Sequence, residues 1–280
     1  MSSPECIEFH GMPAIRWSSR DGASAIATLQ GAHLASWTPS GGEECLYVSE
    51  RSSFEVGRPI RGGIPIVFPQ FADRGPLAQH GFARTQAWRF TGASESGEGS
   101  RASFALDSSR ETDALWKGAF HLALTVTIGG PRLDVELRVG NTGDAAFAFN
   151  AALHTYLRVN DAAAARLEGL RGTRYSNRGD GAMGVETREF VTAAEPIDRV
   201  YLAAPSATRL EDAGRILRIG QRGFADTVVW NPGRDRTARM PDMPPEGFRR
   251  MLCVEAAAFE LPIPLAPDAA WTGGQSIAVS

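Results

Sequence analysis

Between Phe120 and Val139 the chain alternates apolar and polar residues with a period of two, and that alternation commits it to β-structure. Phe120, Leu122, Leu124, Val126 and Ile128 interleave with His121, Ala123, Thr125 and Thr127. After the turn Gly129, Gly130, Pro131, the residues Leu133, Val135, Leu137 and Val139 interleave with Asp134, Glu136 and Arg138. Successive side chains of a strand point to opposite faces, so the segment reads as an antiparallel hairpin with one face in water. His121 falls on the wet face and reads as solvated. Elsewhere, short runs rich in β-branched and aromatic residues, such as AIRW, SAIATL, HLASW, CLYVS, WRFTG, RASFALD, RILRIG and DTVVW, are separated by turns containing Gly, Ser, Asn, Asp or Pro. The stretch from Ser94 to Ser100 reads as a polar turn, and SSRETDALW as one capped helical turn. No helix-period segment of useful length appears, nor a long repeat, nor a linker. These features predict an all-β protein, a large antiparallel β-sandwich formed by residues 1–280 as a single domain. A chain of 280 residues that is 43% hydrophobic can bury the core this requires.

Charge narrows the function classes. The net charge of −3 comes from interspersed acids and bases, with no basic block to form a nucleic-acid surface. The three cysteines, Cys6, Cys45 and Cys253, lack metal-type or redox-type spacing and fit free thiols in a reducing compartment. No basic start leads into an apolar run, and no stretch approaches the roughly 20 apolar residues of a membrane span. A cytoplasmic protein without membrane or nucleic-acid partners is expected, acting as a monomer.

The stretch from Arg61 to Thr85, RGGIPIVFPQFADRGPLAQHGFART, stands apart. It holds Arg61, Arg74 and Arg84, the single histidine His80, four glycines and three prolines. Pro65, Pro69 and Pro76 each remove a backbone donor and the glycines disfavour helix, leaving only a brief strand around Ile64 to Phe68. Such a loop can bring its backbone close to a ligand and present Arg61, Gln79, His80 and Arg84, the guanidiniums being suited to forked binding of an anion. A plain Gly/Pro-rich connection with solvated arginines accounts equally well for the composition.

The wording of this stretch resembles the hexose-6-phosphate mutarotase branch of the aldose 1-epimerase family. RGGIPIVFP is followed by QHGFAR, then by AALHTYLRV around His154, IDRVY at Asp198, TVVWNPG at Thr227 to Gly233, and CVEAA around Glu255, in the order that family uses. The chain departs from the family in placing Ala72 after Phe71, where glycine is usual. The resemblance implies the supersandwich, galactose mutarotase-like version of the β-sandwich. It also implies Glu255 as the base at the C1 hydroxyl and His154 as the acid at the ring oxygen. Arg61 and Arg84 are implied to point into the pocket toward a sugar phosphate, most naturally glucose 6-phosphate, while His80, Gln79 and Asp198 bind the sugar.

Read without the resemblance, these residues have plainer explanations. Glu255, set among apolar and small residues in LCVEAAAF, fits a glutamate paired across a sheet, and a lone strand histidine is more often structural than catalytic. Parity places Phe147, Phe149, Leu153 and Leu157 on one face of their segment, and Asn150, Ala152, His154 and Tyr156 on the other. Asp198 fits a turn acid near Pro196, and Gln79 a solvated amide. Phe71 is the aromatic expected to stack on a sugar, Trp230 is expected in the core, and Arg74 is expected as a solvated loop charge. Mutarotation needs one base and one acid on opposite sides of the anomeric carbon and no cofactor. Two rivals remain at this stage. One is a metal-dependent sugar-phosphate isomerase using His80, His154 and Glu255, although no two of the five histidines lie close together in sequence. The other is a carbohydrate-binding sandwich without turnover.

Overall fold

The computed structural model describes residues 4–280 and consists of antiparallel sheets of four, eight and nine strands. The hairpin inferred from alternation forms the strands Phe120–Gly129 and Arg132–Asn141, in register from Phe120↔Asn141 to Gly129↔Arg132. Every second residue of the first strand, Phe120 through Ile128, is buried. These side chains enter the main hydrophobic cluster together with Leu153, Val254 and Ala256 of the eight-stranded sheet and Ile15, Trp17 and Leu34 of the four-stranded one. His121 is only half exposed, because Nδ1 lies 2.6 Å from the Asp107 carboxylate on the neighbouring strand.

Local chemistry explains most boundaries. The six-residue helix Arg110–Leu115 begins at Ser109, whose hydroxyl accepts from the Thr112 amide while Thr112 accepts from the Ser109 amide, a reciprocal cap. The polar turn is tighter than the sequence implied. Strands Arg89–Ser96 and Gly99–Asp107 stay paired as far as Ser96↔Gly99, so only Gly97 and Glu98 turn. CLYVS forms no regular strand, since it crosses strand ends and makes only the isolated bridges Leu46↔Leu157 and Val48↔Gly62. Two short elements fall in stretches read as strand end and loop, a helix Gly233–Thr237 and a 3-10 turn Gly247–Arg250. Among the described residues no helix is long and apolar enough to cross a membrane.

The eight-stranded sheet positions the site. Its strand Met251–Leu265 pairs with Asp226–Asn231 on one side and with Phe147–Leu153 and Tyr156–Arg158 on the other. Leu252, Val254 and Ala256 face the main core, whereas Met251, Cys253 and Ala257 belong to a second cluster on the opposite face with Tyr156, Val228 and Trp230. Parity puts Glu255 on that second face. The pairing of Phe147–Leu153 shifts between Phe149 and Ala151, whose partners are Ile263 and Ala258. The surplus residues lie on the partner strand, so the alternation read from the sequence survives: Phe149 and Leu153 enter the main core and Ala152 and Tyr156 the second cluster. Buried Asp226 secures the bulge by accepting the amides of Phe259 at 3.0 Å and Glu260 at 2.9 Å.

The 61–85 segment extends the edge of this sheet, giving Ile64, Ile66, Phe68 and Phe82 to the main core and Val67, Phe71 and Ala72 to the second cluster. Its only regular strand is Ile66–Val67, paired with Leu153 and Ala152. Gly81 has a φ of +72°, and a Cβ there would run into the Phe68 carbonyl, which accepts the amides of Phe82 at 3.0 Å and Ala83 at 3.3 Å. Ala72 also adopts a left-handed φ, +50°, conserving with a side chain the conformation that glycine takes more easily. That costs roughly 1–2 kcal/mol. It is offset by two hydrogen bonds to the Ala72 carbonyl, from the His80 amide at 2.9 Å and Gln70 Nε2 at 2.8 Å.

Candidate active site

All eight residues singled out from the sequence, Arg61, Phe71, Gln79, His80, Arg84, His154, Asp198 and Glu255, line one pocket of about 270 Å³. Four structural sources converge there. The 61–85 loop contributes five of the eight, the break between Phe147–Leu153 and Tyr156–Arg158 holds His154, and the strands Ile197–Tyr201 and Met251–Leu265 carry Asp198 and Glu255.

His154 and Glu255 form the floor. His154 Nδ1 lies 3.2 Å from Glu255 Oε1, and both side chains are almost wholly buried. The approach is close but not aligned as a hydrogen bond, and His154 Nδ1 and Glu255 Oε2 have no hydrogen-bond partner among the described residues. The imidazole ring is held nonetheless. It stacks on Tyr156 at 4.7 Å, meets Trp230 edge-on at 6.1 Å, and is anchored through its own amide to the Pro65 carbonyl at 3.0 Å. Burial pushes the Glu255 carboxyl well above the usual carboxylate range, Asp198 adds to the rise, and Arg178 and Arg84 only partly oppose it. Burial likewise pushes His154 well below the usual histidine range, reinforced by His80, Arg84 and Arg61. Compensation of Glu255 by arginine is therefore present but outweighed by desolvation.

His80 adjoins His154, with ring centroids 5.3 Å apart. Its Nδ1 accepts the Ala72 amide at 3.3 Å, which places the proton of the neutral ring on Nε2. Burial first, then Arg84 and Arg178, push its pKa down to about 2, so the ring is a neutral donor.

The cations differ in their commitments. Arg61 is already occupied: Nε and Nη2 contact Asp242 Oδ2 at 3.0 and 2.9 Å, and Nη1 donates to the Tyr156 hydroxyl at 3.0 Å. Burial works against its charge, but Tyr156 and Asp242 prevail and its pKa is raised. The fork expected to be free for an anion is thus engaged by a residue 181 positions away in the chain. Arg84 sits on the short turn Ala83–Thr85 and donates Nη2 to the Gln79 carbonyl at 2.7 Å, while its buried Nε has no partner among the described residues. Burial lowers its pKa to about 10. Gln79 itself is exposed at the rim, so its carbonyl positions Arg84 while its amide side chain faces the opening.

Sequence reasoning missed Arg178, Arg236, Met240 and Asp242, which also line the pocket. Arg236 Nη1 contacts Asp198 Oδ2 at 3.2 Å and its guanidinium lies 5.7 Å from the Trp230 ring, while that of Arg178 lies 5.4 Å from Phe71. Asp198 is therefore no isolated turn acid. It sits within a strand, opposite Trp230, with a guanidinium on each side. Phe71 is 1% exposed, edge-on to His80 and Phe259, whereas Trp230 is 7% exposed. Both aromatics belong to the buried cluster and to the pocket wall. Arg74 is not simply solvated: it covers the Phe259 ring at 4.2 Å and donates to the Phe259 carbonyl at 2.6 Å. Of the metal-ligand set weighed from the sequence, His154 and Glu255 do lie together, but the third potential ligand within 4.8 Å is Cys253 in place of His80. Burial raises the Cys253 thiol well above its usual range, which disfavours the thiolate that a metal would need.

Known proteins resemble this chain over most of its length. The family profile described as "Aldose 1-epimerase" matches residues 13–278. A protein of Cenchrus ciliaris named "Putative glucose-6-phosphate 1-epimerase" is 35% identical over 257 residues, covering 88% of this chain and 78% of its own. One of the same name from Escherichia coli K12 is 36% identical over 241 residues, covering 83% and 79%. The crystal structure of a Salmonella typhimurium protein described as "a putative mutarotase (YeaD)" superposes with a TM-score of 0.92 at 30% identity, over 100% of this chain and 94% of that one. With the profile spanning nearly its whole length and relatives above 30% identity on most of it, the chain belongs to the aldose 1-epimerase family.

Proposed function

We propose that this protein is an isomerase that interconverts the α and β anomers of a hexose 6-phosphate, with glucose 6-phosphate as the best candidate. The observation that carries this reading is the pair of buried polar atoms, Glu255 Oε2 and His154 Nδ1, both without hydrogen-bond partners among the described residues, on the floor of an arginine-lined pocket. A buried polar atom left unpaired is costly, so such atoms mark the place where a ligand completes the site.

In the proposed reaction Glu255 accepts the proton of the C1 hydroxyl while His154 delivers one to the ring oxygen. The C1–O5 bond breaks, the C1–C2 bond rotates, and the reverse transfers close the other anomer. Burial raises the proton affinity of the carboxyl and lowers that of the imidazole. Both shifts disfavour the charged forms, so the carboxylate and imidazolium that start the transfers form only with the polar sugar in place. His80, with its proton on Nε2, donates to a sugar oxygen beside His154. Asp198, fixed by Arg236, and Gln79 accept from sugar hydroxyls. Arg84 and Arg61 supply positive potential for the phosphoryl group, Arg84 by direct contact and Arg61 from within its pairing with Asp242.

Exchange NMR on the purified protein, comparing glucose 6-phosphate, galactose 6-phosphate and the free sugars, tests the reading. Faster exchange of a hexose 6-phosphate than of its free sugar is expected. Equal efficiency on free glucose or galactose overturns the phosphate assignment in favour of a general aldose epimerase. Binding of sugars with no acceleration of exchange overturns the enzyme assignment altogether.

A further inference from the structure

Four guanidiniums line the pocket, and one of them has no hydrogen bond from its side chain to any described residue. Arg61 is held by Asp242 and Tyr156, Arg84 by the Gln79 carbonyl, and Arg236 by Asp198. The guanidinium of Arg178 lies 3.9 Å from Asp198 Oδ1 and 4.0 Å from Asp73 Oδ1, too far for a hydrogen bond to either. Its side chain is nevertheless only 22% exposed. The faces of Phe71 and Phe259, at 5.4 and 6.0 Å, substitute for part of the lost water. Its backbone is fixed just beyond the strand Arg174–Asn177, where the Arg178 amide donates a hydrogen bond to the Asp198 carbonyl at 2.8 Å. A guanidinium so largely covered, rooted on a strand end and with its donors unspent, is preorganised for an acceptor that arrives with the substrate.

The charges identify that acceptor. Asp242 compensates Arg61 and Asp198 compensates Arg236, leaving Arg84 and Arg178 without a hydrogen-bonded carboxylate. Two cations with no hydrogen-bonded carboxylate, Arg178 meeting Asp198 and Asp73 only at 3.9 and 4.0 Å, match a phosphate monoester, which carries close to two negative charges near neutral pH. We propose that Arg178 is a phosphoryl-binding residue that sets the preference for phosphorylated over free hexoses, its fork closing on the phosphoryl oxygens together with Arg84. This rests on the epimerase reading above and reassigns to Arg178 the forked contact, because Arg61 already spends Nε and an Nη2 donor on Asp242 and an Nη1 donor on Tyr156.

The test compares wild type with Arg178→Ala, Arg178→Lys and Arg239→Ala. The last removes an exposed arginine next to Met240 that lies outside the pocket lining. Exchange NMR yields kcat and KM on glucose 6-phosphate and on free glucose, with inorganic phosphate as competitive inhibitor. Arg178→Ala is expected to lose about 10- to 100-fold in kcat/KM on the phosphorylated sugar, mainly through KM, the size of one charge-assisted contact. Activity on free glucose stays within about twofold, phosphate inhibition weakens in parallel, lysine restores part of both by charge without the fork, and Arg239→Ala changes neither. If Arg178→Ala keeps the wild-type preference and phosphate inhibition, or loses both sugars equally, the assignment of Arg178 is wrong while the epimerase reading stands. A wild type with no preference for the phosphorylated sugar overturns the phosphate reading and this inference with it.

Discussion

Replacing Glu255 with glutamine should abolish activity while making the protein more stable, and the gain should depend on pH. The carboxyl is 1% exposed, Oε2 has no hydrogen bond among the described residues, and burial holds its pKa well above the ordinary 4.5. Below pH 4.5 both folded and unfolded chains bind the proton, so wild type and Glu255→Gln should be equally stable. As pH rises the unfolded chain releases its proton first, and the wild type loses stability until the folded pKa is passed. Glutamine keeps the shape and never ionises, so its advantage opens over that interval. Removing a buried charge that no hydrogen bond satisfies is worth about 1–3 kcal/mol. For a chain of this size that corresponds to a rise in Tm of about 2–6 °C at pH 8, with none at pH 4. Loss of the base should cost about 10²- to 10⁴-fold in anomer exchange. Differential scanning calorimetry at the two pH values and exchange NMR on the same samples provide the measurements. A variant less stable than wild type at pH 8, or one shifted equally at both pH values, would refute the claim that an uncompensated buried carboxyl sits on the pocket floor.

His154→Asn should reduce exchange by about 10²- to 10⁴-fold with the near-ultraviolet circular dichroism unchanged, because the volume is nearly kept and the proton carrier is lost; near-normal turnover would remove His154 from the chemistry. Gly81→Ala places a Cβ against the Phe68 carbonyl at a φ of +72°, and should destabilise the fold by more than about 1 kcal/mol in urea titration while impairing exchange through displacement of His80. Glu186 is buried and bonded to Arg188 at 2.8 Å, Arg199 at 2.9 Å and the Tyr201 hydroxyl at 2.8 Å. Burial opposes its charge, but Arg188 and Tyr201 outweigh it and hold the pKa at about 2. Glu186→Gln should therefore cost about 2–3 kcal/mol at pH 7, discounted for the half-exposed Arg188, and the deficit should shrink as pH falls from 4.5 toward 2. A deficit as large at pH 2.5 as at pH 7 would contradict the pairing.

The signals legible in the sequence were those in which cause and effect lie within a few residues. Alternation over Phe120 to Val139 is read directly as a hairpin because a strand has only two faces. The same parity separates Leu153 from His154, and Val254 from Glu255, before any tertiary contact is known. The Gly/Pro-rich stretch reads as close-approaching backbone because only glycine comfortably takes the left-handed turn at Gly81. What stayed hidden depends on pairings made across the fold. Nothing near Arg61 indicates that Asp242 will neutralise it, and MPDMPPEGFRR reads only as a proline-rich loop although it brings both Met240 and Asp242 to the pocket. Arg178 lies in an ordinary polar turn, and its unspent guanidinium is visible only once Asp73 and Asp198 are seen to stop just short of it.

The same distinction explains why the arginine assignment shifted while the acid–base pair did not. Glu255 and His154 are defined by what they are, a carboxyl and an imidazole brought together on the pocket floor, and no neighbour can supply that chemistry in their place. A cation's role is defined by what remains after its neighbours have taken their share. Arg61 and Arg84 occupy equivalent positions at the ends of one sequence motif, yet one meets a carboxylate and a phenol and the other a single carbonyl. Guanidinium for guanidinium the residues are identical, so only the surrounding acids decide which of them holds the structure and which waits for the substrate. On the proposed function, Asp242 counts among the determinants of specificity as much as any arginine. Replacing it with asparagine should release Arg61 into the pocket and strengthen inhibition by inorganic phosphate about 3- to 10-fold, the gain expected from one further partly screened charge. Unchanged or weaker phosphate inhibition in Asp242→Asn, with the fold intact by circular dichroism, would show that the Arg61–Asp242 pair acts as a unit and that Arg61 cannot be recruited by an anion.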